Sequence, residues 1–188
     1  TEDLLVPGYF EMPIHKGETI TFSAGVAPIE PKQIDVMLEK EIANIDHRDS
    51  FYHCLVNAAH QFRVNKDKES YILAGYPWFK PRARDTFISM PGLTLAIGER
   101  ERFEAYMATA EKALYNFMRK EPMSVNIYEM EQPDTLLWAT WTIQQYAKYT
   151  SRKECYEKYG KLLKDIMGFI WNGLHPNLFI HENGLLYA

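Results

Sequence analysis

The chain has 188 residues, 46% of them hydrophobic, enough for one folded core or slightly more than one. Its 21 Lys and Arg stand against 25 Asp and Glu, a net charge of −4 with no long charge run, which argues against a nucleic-acid partner or an anionic membrane surface. No apolar run approaches the ~20 residues a membrane-spanning helix needs, and Cys54 and Cys155 are isolated thiols that fit neither a disulfide framework nor a zinc site, which points to a reducing, cytoplasmic setting.

Residues 1–26 differ from the rest. Leu4-Leu5-Val6, Tyr9-Phe10-Glu11-Met12 and Thr19-Ile20-Thr21-Phe22 have strand composition, and Pro7-Gly8 and Lys16-Gly17 supply turns between them. Two or three such strands make no stable sheet alone, so they are expected to be the tail of a β-sandwich-like domain lying upstream. A linker from Ala27 leads to Pro31, where the periodicity becomes helical, and residues 32–175 are expected to be mostly helical.

Pro31 suits a helix start, and Ile34, Leu38, Ile42 and Ile45 recur at helical spacing. Ser50 is a candidate N-cap for a second helix bearing Phe51, Leu55, Ala58, Ala59 and Phe62. A third is expected over Asp85–Ile97 with a kink at Pro91-Gly92, a fourth over Glu101–Arg119, a fifth over Asp134–Tyr149 and a sixth over Arg152–Trp171. The third and fifth are apolar almost all round, as buried helices are, whereas the fourth and sixth are amphipathic. Alternating inner and outer helices suggest a mainly α protein built as a toroid of helical hairpins.

The stretch from Tyr71 to Gly98 carries the densest chemistry. Tyr76, Trp78, Phe79, Arg82, Arg84 and Asp85 fall within ten residues of one another, beside Gly75, Pro77 and Pro81, so they sit on a loop that leads into a helix. Aromatic faces stack on the C–H face of a sugar, and an Arg–Asp pair holds neighbouring hydroxyls by charge-assisted hydrogen bonds. A plain surface turn with Asp85 as N-cap accounts for the same residues. No metalloprotease, Walker or dinucleotide fingerprint is present. His53 and His60 stand two helical turns apart, too far to share one metal, so neither a metal nor another cofactor is expected.

Three blocks resemble the glycogen debranching enzyme family in its C-terminal amylo-alpha-1,6-glucosidase domain. They are Ala74-Gly75-Tyr76-Pro77-Trp78-Phe79 with Arg84-Asp85-Thr86 and Pro91-Gly92-Leu93, then Pro133-Asp134-Thr135-Leu136-Leu137-Trp138 with Ile143-Gln144-Gln145-Tyr146, then Glu182-Asn183-Gly184-Leu185-Leu186. They stand in the family's order over roughly residues 70–188. The chain departs from the family at Arg82-Ala83, where Trp-Gly is usual, and the fine shape of a sugar pocket is open at that point.

The resemblance implies an (α/α)6 toroid of about twelve helices, of which residues 27–188 would be the N-terminal part. It implies an inverting glycoside hydrolase acting on alpha-1,6-glucosidic branch points of glycogen or related alpha-glucans. Arg84 and Asp85 would hold the hydroxyls of the terminal glucose, Tyr76 and Trp78 would wall the pocket, and Asp134 and Trp138 would lie at the same end of the toroid. Each also has a bland reading: Asp134 as a helix N-cap, Trp138 as core beside Trp141, Tyr76 and Trp78 as packing for the linker. The family's catalytic acid lies in a Thr-Trp-Met-Asp pattern that is absent here. Acid and base are therefore expected beyond Ala188, in a longer enzyme, with this chain inactive alone. The competing function is a non-catalytic helical binding or scaffold module with an aromatic ligand groove. The sequence does not give the oligomeric state.

Overall fold

A computed structural model describes residues 8–43, 45 and 47–188 of the chain. They fall into two compact units, one up to residue 46 and one from His47 to Ala188.

In the first unit the predicted strands do not form among the described residues. Tyr9–Met12 and Thr19–Phe22 run as irregular chain, and Leu4–Val6 with Pro7 of the first turn lies outside the described residues. Strand composition makes a strand only when another strand offers ladder partners, and none is at hand. The Lys16-Gly17 turn does form: Gly17 has φ +91°, and Glu18 donates its N–H to the His15 carbonyl at 3.0 Å. Pro31 opens a 3-10 turn (Pro31–Gln33) that runs into helix α1 (Ile34–Ala43). The helix stops before Ile45 and buries none of its residues.

The second unit is built on five helices. Helix α2 (Phe51–Gln61) is capped by Ser50, whose hydroxyl accepts the His53 N–H at 3.1 Å. Its buried residues are Asn57 and Ala59, while Phe51 and Leu55 are exposed, so the apolar stripe is not the face it packs with. A hairpin follows that hydrophobic patterning does not announce: β1 (Arg63–Lys66) pairs antiparallel with β2 (Glu69–Ile72). Its turn residues Asp67 and Lys68 both have positive φ, 53° and 68°, in a sequence with no glycine to signal it.

Helix α3 (Ala83–Leu93) passes through Pro91 and breaks only at Thr94, before a 3-10 turn (Leu95–Ile97) closed by Gly98 at φ +81°. Pro91 has no N–H, so the Phe87 carbonyl four residues back loses its helical donor. The Thr142 hydroxyl, fully buried on helix α5 (Thr135–Tyr149), donates to that carbonyl at 2.6 Å. Thr142→Val should therefore cost about 1–3 kcal/mol at nearly constant volume, because it leaves a buried acceptor unmet. Urea denaturation measures it, and an unchanged midpoint would dismiss this account of the Pro91 turn.

Helices α4 (Arg100–Arg119) and α6 (Arg152–Trp171) each bury one face, as predicted. Arg84–Asp134 and Phe87–Thr142 contacts set α3 parallel to α5. Arg100–Glu154, Tyr115–Asp165 and Phe117–Phe169 set α4 parallel to α6, and Glu104–Tyr146 brings the start of α4 to the end of α5. The core lies between these helices and contains Phe87, Phe103, Met107, Leu114, Ile143 and Ile166. Helices α3 and α5 are not buried all round. Ile88 and Trp141 are exposed, so each of these helices presents part of its apolar surface to solvent among the described residues. A last hairpin pairs β3 (Phe179–Ile180) with β4 (Leu186–Tyr187).

One polar knot in this core is sensitive to acid. Burial opposes ionisation of Glu104, but hydrogen bonds from Lys158, Tyr146 and Arg100 hold its carboxyl at about 2, below its ordinary 4.5. The folded state thus gains stability that is complete above pH 4.5 and is lost as the pH falls from there toward 2. The side chain is about a quarter exposed, so this is on the order of 1–2 kcal/mol. Tm should fall more steeply below about pH 4.5 in the parent than in Glu104→Gln. Parallel curves would refute it.

Candidate functional site

The starts of α3 and α5 lie side by side and carry the site. Residues 122–131 anchor the first of them. Tyr128 donates its N–H to the Pro81 carbonyl at 3.0 Å, and Ala83 donates to the Tyr128 carbonyl at 2.9 Å. Arg82 stacks its guanidinium over Phe79 at 4.8 Å and reaches Glu129 at 3.3 Å. Glu129 has φ +59°, a strained backbone in the left-handed region. The sequence reading missed Tyr128 and Glu129, and no motif marks them.

Asp134 immediately precedes α5 but makes no side-chain cap. Its Oδ2 accepts the Trp138 indole N–H at 3.0 Å and lies 3.2 Å from Arg84 Nη1. Trp138 meets Trp141 edge-on at 5.5 Å. Three predicted site residues, Arg84, Asp134 and Trp138, thus share one carboxylate oxygen. The carboxylate also sits at the N-terminal end of α5.

Asp85 stands apart from this cluster. It was expected to pair with Arg84, and no ion pair joins them among the described residues. Consecutive residues of a helix point about 100° apart, so neighbours at i and i+1 do not face each other. Arg84 turns toward α5 and Asp85 toward a cavity of about 220 Å³ with Phe62, Leu73, Ala74, Ile88 and Ser89. Among the described residues no hydrogen-bond partner meets the Asp85 carboxylate there. It is not a side-chain cap either; only its carbonyl is engaged, by the Ser89 hydroxyl at 2.6 Å.

On the preceding loop the Tyr76 hydroxyl donates to the Gln61 carbonyl, and the Tyr76 ring lies 6.0 Å from Phe62. The Tyr76–Pro77 bond is cis. Trp78 is 80% exposed, with a ring open to a ligand. Glu182 is exposed in the turn between β3 and β4, the last hairpin.

Chemically, Arg84 offers donors that Asp134 does not use, Asp134 offers its second oxygen, and Trp138 offers an aromatic wall. That set is complementary to paired hydroxyls on a neutral polyol. Among the described residues, no group of three or more His, Cys, Asp or Glu is placed to hold a metal, and no helix is long and apolar enough to cross a membrane.

Residues 54–188 match the amylo-alpha-1,6-glucosidase family. The chain belongs to this family. No curated protein and no solved structure matches it. As a member of the amylo-alpha-1,6-glucosidase family it carries a glycosidase-type domain, mainly helical with small antiparallel sheets. The match takes in α3 to α6 complete, and with them Arg84, Asp85, Asp134 and Trp138.

Proposed function

We propose that this chain supplies the glucose-binding wall of an enzyme that hydrolyses alpha-1,6-glucosidic branch points of glycogen or related alpha-glucans. The observation that carries it is the shared Asp134 oxygen, which locks Arg84 and Trp138 together inside the family's matching segment. Arg84 and Asp134 hold neighbouring hydroxyls of the terminal glucose, Trp138 and Trp78 take its C–H faces, and Tyr76 shapes the loop behind them. Asp85 adds a hydroxyl acceptor from its own cavity. Parallel α3 and α5 against parallel α4 and α6 support part of an (α/α)6 toroid, with the first pair inside and the second outside. Free Cys54 and Cys155 fit a cytoplasmic enzyme.

Inversion uses an acid and a base about 6.5–9.5 Å apart with a water between them. Asp134 is engaged by a guanidinium and an indole, which suits binding of hydroxyls. Neither it nor Asp85 is given the acid or base role, and this chain alone is expected not to release glucose.

The test is a titration with isomaltose and panose, followed by tryptophan fluorescence, with cellobiose as the control sugar. A saturable change with the alpha-linked sugars, weaker with cellobiose, is expected. A flat response to all three would overturn the assignment. Glucose release that disappears in Asp85→Asn would show that the chemistry had been placed wrongly.

A further inference from the structure

The outer helices hold a second polar pocket, remote in kind from the sugar site. It has a volume of about 440 Å³ and is lined by Tyr115 and Arg119 of α4 and by Lys161, Lys164, Asp165 and Asn172 at and beyond the last turns of α6. Three cations face one carboxylate here, in a chain whose net charge is −4. Glu111, which also feels the Lys161 charge, is pushed up toward its neutral form by burial.

The cations are held in place. Arg119 lies with its guanidinium 4.7 Å from the Tyr115 ring centre, and Lys161 lies 5.0 Å from the same centre. Lys161 also contacts Asp165 at 2.7 Å and the Tyr115 hydroxyl at 3.2 Å. Lys164 sits 5.3 Å over the Tyr156 ring. Arg119 has no carboxylate within ion-pair distance among the described residues, and a guanidinium stacked on a ring keeps its N–H edge free. Two cations drawn to one tyrosine repel each other, and an anion at that edge relieves the repulsion.

We propose that this pocket binds a phosphate monoester dianion. Arg119 grips two phosphate oxygens in a fork, which the planar guanidinium allows and an ammonium does not. Lys161 and Lys164 add point charges, the Asn172 amide donates, and Met118, Phe169 and Leu174 offer an apolar wall to the esterified group. A monocarboxylate, with a single negative charge, would leave one of the excess charges unmet.

Amide chemical shifts of the full chain, titrated at low salt with inorganic phosphate, glucose 6-phosphate and glucose, test this. Saturable shifts at Arg119, Lys161, Gly168 and Asn172 are expected with the two phosphates and not with glucose. Glucose 6-phosphate bound about tenfold tighter than inorganic phosphate upholds the monoester site, and equal affinity overturns it in favour of a site for free phosphate. Arg119→Ala and Lys164→Ala should each weaken binding about tenfold with unchanged circular dichroism. Shifts that do not saturate, or that persist in both variants, overturn the proposal. Asp134→Asn should bind phosphate as the parent does, so failure of the sugar site and failure of this one are read separately.

Discussion

Asp134→Asn is expected to weaken binding of an alpha-linked glucoside by about 30- to 150-fold, or 2–3 kcal/mol, the usual worth of a charge-assisted hydrogen bond. Asparagine keeps the side-chain shape and can still accept the Trp138 indole N–H. What it loses is the charge that draws in Arg84, 3.2 Å away. Arg84 is more than half exposed, so its release costs the fold little, whereas a sugar would lose one charged acceptor and one positioned donor. Isothermal titration with isomaltose measures the loss, and thermal melting checks that the fold is intact. Arg84→Lys should not restore affinity, because an ammonium has no fork to span Asp134 and a hydroxyl together. Full affinity in Asp134→Asn, with an unchanged melt, would remove the site from this place.

Phe103→Ala is expected to destabilise the helical unit by about 3–5 kcal/mol, the cost of a large cavity in a packed core. Phe103 has no exposed surface; it stacks on Tyr146 at 5.1 Å and meets Tyr159 edge-on at 6.5 Å. These rings close the junction of α4, α5 and α6. Tm should drop by about 10 °C, given roughly 2–4 °C per kcal/mol in a chain of this size. There is a second consequence. Tyr146 donates to Glu104 at 2.6 Å, so loosening its ring should blunt the acid sensitivity that Glu104 confers. A drop of less than about 3 °C would show that the core closes around the gap more readily than packed interiors usually do.

What the sequence determined by itself was local or written in motifs. Ser50 caps its helix because a hydroxyl ahead of a helix meets its own third N–H, which needs no distant partner. Helices α4 and α6 run within a residue of their predicted limits because their charged and apolar faces alternate at the helical period. The three motif blocks pointed to the family that the comparison identifies over residues 54–188.

Tertiary structure decided the rest. Adjacent Arg84 and Asp85 look like a pair in one dimension, but the twist of α3 separates them and brings Asp134, fifty positions on, to Arg84 instead. Pro91 reads as a kink, yet Thr142 on another helix takes up the carbonyl it orphans and the helix runs on to Leu93. Tyr9–Met12 and Thr19–Phe22 have the composition of strands and meet no ladder partner among the described residues. In each case the deciding partner lies far along the chain or is missing, and local composition carries no record of it.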